Sequence, residues 1–449
     1  MSMFTEAEAK AILDKVIALS KADECIATLT GNREGNIRFA RNSVSTSGVV
    51  NEVNLAVQVA FGKRSGIATT NSFDDTSLER VVRRAEELAQ LAPENPEFMP
   101  AVEKQTYTAT PTYVQATADI DPAYRAKVAL DSIKPCKDDN LVAAGYLADN
   151  TGFIATANSR GNFGYQPLNN LDYTCTVRTA DETGSGWVAT NLADASKFDV
   201  AKDIQTAIRK AKGSVDAKAL EPGKYTVVLE PAAVSGLLMF MLMGFDARQA
   251  DEGRSFLSKK GGGNRLGEKV FDERVNAFTD PAHADVPVLP WDMDGLPRGK
   301  HAIIENGVVK HLNYSRFWSQ KQGVDPLAMP GNIIMTGGDK STEDMVKSTK
   351  RGILVTRTWY IRLVDPQTVL LTGLTRDGTF YIEDGEVKHP IKNFRFNESP
   401  IIMLNNIEEL GRPERINAGA GVGGGPGIAM MVPAMKVRDF TFTSLSDAV

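Results

Sequence analysis

Residues 234–245 read V-S-G-L-L-M-F-M-L-M-G-F and form the longest apolar run of the chain. The run is shorter than the roughly 20 residues that a helix needs to cross a bilayer. Glu230-Pro231 precedes it, and a proline at the first helical position costs no hydrogen bond. Met239, Phe240 and Met243 lie opposite the main apolar stripe, which consists of Val234, Leu237, Leu238, Met241, Leu242 and Phe245. The run therefore predicts a core helix whose second face points at another layer, a partner chain or a cleft.

Composition narrows the class of protein. The chain has 449 residues, enough for two or three domains, with 42% hydrophobic and 24% charged residues, which is typical of a soluble globular protein. Its net charge is −5 and its basic residues are interspersed with acids, which argues against a nucleic-acid surface. The first residues, M-S-M-F-T-E-A-E-A-K, lack the basic start and apolar stretch of a secretory signal. We expect a cytoplasmic protein that binds neither nucleic acid nor membrane.

The three cysteines predict neither a disulfide framework nor a zinc knuckle. Cys25, Cys136 and Cys175 are widely separated and form no C-x-x-C pair. We expect three buried, neutral thiols.

The N-terminal half reads as a repeated strand–helix unit. Thr76 and Glu79 match a T-x-x-E capping box, and the apolar spacing that follows predicts a helix over 77–91. S-G-I-A-T-T-N at 65–71 is similar to S-G-W-V-A-T-N at 185–191, and a second helix is expected near 198–212. This favours an α/β region over 1–215, with two similar units at about 20–95 and 120–215.

From residue 222 onward, short β-rich runs alternate with turn signals. I-E-N-G-V-V-K-H at 304–311 and I-E-D-G-E-V-K-H at 382–389 predict two hairpins, because Asn-Gly and Asp-Gly suit type I′ turns. Their ends, His311 and His389, could form a metal pair, but outward-facing hairpin ends are the favoured interpretation. The segment 222–449 thus predicts an antiparallel, sandwich- or barrel-like β domain with one buried helix, and the whole chain an α+β fold.

Few sequence patterns point to a site. Asp292 and Asp294 in W-D-M-D-G could hold a cation or act as acid and base, although D-x-D-G is more typical of a turn. G-A-G-V-G-G at 419–424 lacks the strand and helix of a dinucleotide fold and is interpreted as a loop passing close to other backbone. Trp359, Arg376 and Asp377 form a charged and aromatic cluster on β elements. Such a cluster could line a groove for an extended peptide, or form a solvated rim.

The order of these motifs resembles the TldD/PmbA (TldE) family, proteins once labelled modulators of DNA gyrase and now regarded as peptidase-related. The resemblance rests on V-V-L-E-P and the apolar helix, W-D-M-D-G-L-P-R, I-I-E-N-G-V-V-K-H-L and T-G-L-T-R-D-G-T-F-Y-I-E-D-G-E-V-K-H-P-I-K-N-F-R-F-N-E-S. It covers most of the chain, is most specific over about 222–445, and is greatest to the branch without a zinc motif. It implies a dimer that encloses a cleft in which unfolded peptides are cut at a zinc site.

Catalytic TldD-type members carry H-E-x-x-x-H on the equivalent helix and a further cysteine ligand near the C-terminus. In this chain those motif positions fall on Met239, Phe240 and Gly244, and no cysteine follows Cys175. Zinc hydrolysis needs nitrogen, sulfur or oxygen ligands and a base for the metal-bound water. We therefore expect no catalytic residue and no metal ligand at this place.

The leading hypothesis is a non-catalytic, TldE-like subunit without a cofactor of its own. It would pair with a TldD-type paralogue that carries zinc, or with itself, and help to hold unfolded peptides. Two alternatives remain open: a hydrolase that uses another site, such as Asp292 and Asp294, and a homodimeric protein that binds peptides or small ligands without cutting them.

Overall fold

The computed structural model describes residues 3–417 and 429–446, and its first part is a six-stranded antiparallel sheet. The strand order is β3-β2-β1-β4-β5-β6. The strands are β1 (Glu24–Ala40), β2 (Ser43–Phe61), β3 (Arg64–Thr70), β4 (Leu141–Asn158), β5 (Phe163–Thr179) and β6 (Ser185–Leu192). Buried and partly exposed residues alternate along β1 and β5, so one face of the sheet is covered and the other is half open.

Helices cover the buried face, and the two halves of the sheet share one order of elements. The helices are α1 (Glu6–Leu19), α2 (Asp75–Leu91), α3 (Gln115–Ala118), α4 (Pro122–Asp138) and α5 (Val200–Gly213). The first half runs α1-β1-β2-β3-α2, and the second runs α4-β4-β5-β6-α5. The central strands β1 and β4 pair antiparallel, which joins the two halves across an approximate two-fold axis.

One glycine in each half repeats the same close contact. A Cβ atom on Gly66 would lie 2.3 Å from the backbone nitrogen of Ala89 on α2, and a Cβ on Gly186 would lie 2.1 Å from the carbonyl oxygen of Ala207 on α5. Only a residue without a side chain lets a helix approach its strand this closely. The same close contact between strand and helix therefore occurs in both halves, and it explains why both heptapeptides begin with S-G.

The predicted helix over 77–91 is present as α2, but the predicted capping box is wrong. The helix begins at Asp75, and its N-cap is Asp74, whose carboxylate accepts a hydrogen bond from the backbone of Ser77. Asp74, which lies two residues before the expected cap, accepts the hydrogen bond of this otherwise free N–H group. Thr76 therefore lies inside the first turn of the helix. The second helix, expected near 198–212, is α5.

The second part of the chain forms an eleven-stranded sheet. Its strands are β7 (Gly223–Leu229), β8 (Ala277–Thr279), β9 (His301–Glu305), β10 (Val308–Val309), β11 (Asn332–Met335), β12 (Arg351–Asp365), β13 (Leu370–Glu383), β14 (Glu386–Pro390), β15 (Phe394–Glu398), β16 (Ile407–Asn417) and β17 (Ala429–Leu445). Because β17 also pairs with β7, strands β7-β12-β13-β15-β17 close into a ring. Most ladders are antiparallel, as expected, but β7 with β12 and β11 with β17 are parallel.

The α+β class is confirmed, and the buried helix expected in the second part is present. The buried helix is α6 (Pro231–Leu242). Four shorter helices accompany it among the described residues of this part: α7 (Ala247–Asp251), α8 (Arg316–Gln322), α9 (Thr342–Lys347) and α10 (Pro400–Asn405). Each has seven residues or fewer, too few for an apolar period to appear in the sequence. Among the described residues no helix is both long and apolar enough to cross a membrane.

The segment between α2 and α3 connects the two sheets through hydrogen bonds. Arg316 donates a hydrogen bond to the carbonyl oxygen of Pro100 at 2.7 Å, and Tyr107 donates one to the carbonyl oxygen of Gly295 at 2.7 Å. Thr110 donates a third, also at 2.7 Å, to Val288. The two sheets are thus joined by many contacts, and the domain limits 1–215 and 222–449 remain predictions.

The cysteines are buried free thiols. Burial raises the pKa of Cys25 to about 11 and the pKa values of Cys136 and Cys175 to about 12. They therefore remain protonated and weakly nucleophilic at neutral pH.

Candidate functional site

Helix α6 occupies the place where the resemblance puts catalytic chemistry. Glu230 is its N-cap residue and Pro231 its first helical residue, as the sequence predicts. The helix packs against β12, β16 and β17, and its buried stripe shares one apolar core with the strands of the ring. Glu230 is also held at 2.6 Å by Lys210 of α5, which ties the start of α6 to the six-stranded sheet.

The far end of α6 has no room for a side chain at position 244. The α-helix ends at Leu242, and Met243–Phe245 forms a 3₁₀ turn. A Cβ atom on Gly244 would lie 2.7 Å from the ring of Phe256, and the carbonyl oxygen of Gly244 accepts a 2.5 Å hydrogen bond from Ser255. A histidine at this position would displace the Phe256 ring from the core.

The residues at the positions where the resemblance predicts zinc ligands do not fit a zinc ion. Met239 offers only a thioether, Phe240 offers no ligand or base, and Gly244 has no side chain. Residues 3–417 and 429–446 contain no cluster of three or more His, Cys, Asp or Glu side chains placed to hold a metal. The glycine-rich G-A-G-V-G-G run at 419–424 lies outside the described residues. No hydrolytic step through zinc can be derived for this helix.

The second face of α6 is only partly covered. Met239 and Phe240 are half-buried, and Met243 is 62% exposed. Of the three alternatives for this face, another layer of the same chain accounts for Met239 and Phe240 only in part within the described residues, and a partner chain or a cleft stays a prediction. What remains is an apolar surface at the end of the helix, which we call the α6 rim (Met239, Phe240 and Met243).

The predicted peptide-binding residues are brought together, but one of them is enclosed. Asp377 is 2% exposed, is ion-paired with Arg357, and accepts a 2.6 Å hydrogen bond from Ser185 of β6. Trp359 and Arg376 keep part of their surface, with the Arg376 guanidinium 5.5 Å from the Trp359 ring centre. Asp377 thus connects the two sheets. Direct contact with a peptide stays a prediction, and Trp359 and Arg376 are better placed for it than Asp377 because they keep part of their surface exposed.

Asp292 has the turn-forming role that D-x-D-G favours. One of its oxygens accepts hydrogen bonds from the backbone of Asp294 at 3.0 Å and Leu296 at 2.9 Å, and the other accepts one from the backbone of Met329 at 3.0 Å. With both oxygens engaged, Asp292 is poorly suited to bind a cation. Burial, with a smaller effect from Asp292, raises the pKa of Asp294, and both residues line one cleft. A hydrolase based on Asp292 and Asp294 therefore stays an open alternative.

Both predicted hairpins are present, with different surroundings for their histidines. Asn306-Gly307 and Asp384-Gly385 have positive φ at both positions, as type I′ turns require. The favoured outward orientation is wrong for His311, which is 9% exposed and packs against His301 with ring centres 4.6 Å apart. His389 instead stacks on Tyr381.

A polar network, which sequence reasoning missed, lies between the open face of the six-stranded sheet and β16. Arg415 donates a 2.6 Å hydrogen bond to Asn191, whose amide in turn donates to Asp172 at 2.5 Å. Burial lowers the pKa of Arg415 to about 10. Since β16 also packs against α6, this network links the sheet face to the candidate site. No sequence signal could have found it, because its members lie on strands far apart in the chain.

Comparison with known proteins agrees with the fold. The PmbA/TldA metallopeptidase C-terminal domain matches residues 222–444, and PmbA/TldA metallopeptidase domain 1 matches residues 29–89. The crystal structure of TldE from Thermococcus kodakarensis has a TM-score of 0.85 at 18% identity, covering 97% of this chain and 99% of that one. A putative modulator of DNA gyrase from Bacteroides thetaiotaomicron has a TM-score of 0.84 at 18% identity, covering 99% and 100%. At this identity the likeness shows the fold.

Curated relatives match over shorter segments. A metalloprotease from Methanothermobacter thermautotrophicus is 24% identical over 217 residues, which is 44% of this chain and 45% of that protein. A zinc metalloprotease TldD homolog from Saccharolobus solfataricus is 25% identical over 247 residues, or 49% and 52%. The matched segments thus span about half the length of these relatives.

The fold and the family domains define a metallopeptidase-related protein. More narrowly, the chain belongs to the TldD/PmbA family, whose members include TldE.

Proposed function

We propose that this chain is a non-catalytic, TldE-like subunit that pairs with a zinc-bearing TldD-type subunit of a peptidase acting on unfolded peptides. The observation that carries the proposal is the end of α6. There a thioether, a phenyl ring and a glycine replace ligands and base, and the Phe256 ring fills the space that a side chain at 244 would need. The remaining metallopeptidase framework then serves a role other than cutting.

The α6 rim supports a contact with the catalytic subunit. We assign this contact to the α6 rim because Met243 is exposed and adjoins the half-buried Met239 and Phe240, which gives another chain an apolar surface to cover. The chain would close one side of a shared chamber. Trp359 and Arg376 are the proposed contacts for extended peptide in that chamber. The buried free thiols favour a reducing compartment, so we place the complex in the cytoplasm.

The test is reconstitution with a TldD-type subunit that has an intact H-E-x-x-x-H motif. The two chains should copurify as a stable complex with zinc bound to the TldD-type subunit alone, and the complex should cut an unstructured peptide faster than either chain. Met243→Asp should weaken the complex at least about tenfold, since a charge would be buried in an apolar contact.

Leu91→Asp is the matched control. Leu91 is also an exposed apolar residue, at the end of α2 and not part of the α6 rim, so its variant should assemble like the wild type. Independent sedimentation of the two chains would overturn the proposal. Stoichiometric zinc and peptide cleavage by this chain alone would overturn it as well.

A further inference from the structure

A cleft of about 270 Å³ is lined both by the open face of the six-stranded sheet and by the W-D-M-D-G turn at residues 291–295. The sheet contributes two cross-strand pairs of β1 and β4, which are Ile26 with Asn158 and Thr28 with Thr156. The volume is slightly below the usual range for sites that bind drug-sized molecules, so the cleft suits a smaller ligand. We call it the β1–β4 cleft.

The turn that lines the cleft is held in place by polar groups that have partners. Tyr107 donates a 2.7 Å hydrogen bond to the carbonyl oxygen of Gly295 and accepts one of 2.6 Å from Asn162. The Tyr107 ring also packs against Trp291, with ring centres 4.8 Å apart. Asp292 closes the turn through its backbone hydrogen bonds. The cleft is therefore preformed, which lowers the cost of binding a ligand.

Other polar groups of the lining have no hydrogen-bond partner within the part of the chain that the structure describes. They are the hydroxyl groups of Thr28 and Thr156, the Asp294 carboxylate and the Nη2 nitrogen of Arg298. The Nε and Nη1 nitrogens of Arg298, in contrast, donate to backbone carbonyl groups. Unpaired polar groups that gather in one preformed cleft indicate that a ligand supplies their partners.

Asp294 and Arg298 give the cleft one charge of each sign. Partial burial raises the pKa of Asp294, with a smaller effect from Asp292, and Arg316 offsets the rise in part. Burial also lowers the pKa of Arg298. Each charge has therefore lost some of its hydration and would be stabilised by a ligand group of opposite sign. Since Asp294 keeps solvent exposure, a ligand can reach it.

The turn places these two charged groups apart. Segments 290–291 and 297–298 pair with each other, so Arg298 lies at the base of the turn and Asp294 at its tip. A free amino acid carries its ammonium and carboxylate on one carbon atom, whereas a dipeptide separates them by a further residue, about 3.8 Å along the chain. The peptide group between the two ends also offers an N–H and a C=O to the two threonine hydroxyls.

We propose that the β1–β4 cleft binds a dipeptide with free ends, its ammonium against Asp294 and its carboxylate against Arg298. An apolar side chain of the ligand packs against the aliphatic part of the lining, such as Ile154 and Leu289. The choice of a peptide as the source of the zwitterion rests on the proposed function, because cutting unfolded peptides releases short peptides with free ends. The binding chemistry belongs to this chain alone and needs no zinc-bearing partner.

The test measures binding of the dipeptide Ala-Leu to the purified chain by isothermal titration calorimetry. We expect a dissociation constant below about 1 mM. N-acetyl-Ala-Leu lacks the ammonium and Ala-Leu-amide lacks the carboxylate, so each should bind at least about tenfold more weakly. Leucine should also bind at least about tenfold more weakly, because it cannot reach both charged groups. The amide ligand tests the role of Arg298 without a substitution that would remove its backbone hydrogen bonds.

Asp294→Asn keeps the shape of the side chain and removes its charge. It should weaken binding of Ala-Leu at least about tenfold and change binding of N-acetyl-Ala-Leu by less than about twofold, since only Ala-Leu has the ammonium that the carboxylate contacts. A variant that merely distorted the turn would weaken both ligands equally. Asp14→Asn is the matched control. Asp14 is exposed on α1, which packs on the other face of the sheet, so this variant should bind Ala-Leu like the wild type.

Three results would overturn the assignment: no heat of binding at millimolar Ala-Leu, leucine binding as tightly as Ala-Leu, or full affinity in Asp294→Asn. Chromatography of the ligand after titration should recover Ala-Leu uncut. Cleavage by this chain alone that Asp294→Asn abolishes would favour the hydrolase and also count against a binding cleft. Because the titration uses no second subunit, its failure leaves reconstitution with the TldD-type subunit unaffected, and the reverse also holds.

Discussion

Arg357 and Asp377 form a buried ion pair at the junction of the two sheets, with Arg357 Nε donating to Asp377 Oδ2 at 2.7 Å. The guanidinium carbon lies 4.2 Å from the ring centre of Trp187 on β6 and 4.9 Å from that of Trp359 on β12. Ser185 of β6 donates to the other oxygen of Asp377. The pair therefore joins the strand that ends the six-stranded sheet to the ring of the second sheet.

Asp377→Asn should strongly destabilise the folded chain. Asparagine tolerates the positive φ of 54° at this position, so the variant mainly leaves the Arg357 charge buried without its counter-ion. Breaking such a pair costs about 3–5 kcal/mol, measured as the free energy of unfolding in urea. Glu386→Gln is the control, because Glu386 forms an exposed ion pair with Lys388. Loss of this pair should leave the midpoint of urea unfolding unchanged. Equal behaviour of the two variants would contradict a joining role for Asp377.

The same cluster shows which contacts can be predicted from the sequence and which cannot. The close spacing of Arg376 and Asp377 to Trp359 indicates a charged, aromatic group on neighbouring strands, and β12 and β13 do bring these residues together. The sequence cannot predict that Trp187 and Ser185 enclose Asp377. They belong to a strand of the other sheet, and nothing local in the chain encodes that contact.

Gly66→Ala and Gly186→Ala should each destabilise the protein by about 1–3 kcal/mol, the usual cost of overpacking. The added methyl would meet helix backbone, the Ala89 nitrogen at 2.3 Å in one case and the Ala207 oxygen at 2.1 Å in the other, and backbone cannot turn aside as a side chain can. Gly48→Ala, which meets nothing within 4 Å, should be neutral or slightly stabilising in urea unfolding. A tolerated alanine at both 66 and 186 would refute the close-packing explanation of the repeat.

These glycines also explain why the fold class could be predicted and the finer topology could not. A glycine in the same heptapeptide context twice indicates one local packing used twice, and the hairpin turns follow from Asn-Gly and Asp-Gly. The closed ring depends on β17 pairing with β7, strands about 200 residues apart in the chain. Such pairing is set by long-range packing, which leaves no short pattern in the sequence.

His311 should make the folded chain less stable in mild acid. Burial, with a smaller effect from the neighbouring His301, lowers the pKa of His311 to about 4. The unfolded chain, with a histidine pKa near 6.5, binds a proton first as the pH falls, so stability declines below about pH 6.5 until His311 itself is protonated near pH 4. Between pH 7.5 and pH 5 this amounts to about 2 kcal/mol.

The measurement is the free energy of unfolding at both pH values for wild type and His311→Gln. Carboxylates contribute to the pH dependence of both proteins, so the difference between them isolates the histidine. The variant should lose about 2 kcal/mol less than the wild type on acidification. An identical loss in both would show that His311 titrates normally in the folded state.

Restoring the family motif by substitution should fail to create a zinc site. Met239→His, Phe240→Glu and Gly244→His together rebuild the letters of H-E-x-x-x-H, but a side chain at 244 must first displace Phe256, whose ring would lie 2.7 Å from the new Cβ. The chain also has no cysteine after Cys175 to complete the ligand set.

We expect Gly244→Ala alone to lower the free energy of unfolding by about 1–3 kcal/mol. The triple variant should hold less than stoichiometric zinc, measured by metal analysis after dialysis. Met239→His with Phe240→Glu, which keeps Gly244, should lose less stability than the triple variant because both positions are only half-buried and Phe256 stays in place, and it separates misfolding from failed binding. A triple variant that bound one zinc ion per chain at wild-type stability would show that the end of α6 still accommodates the site.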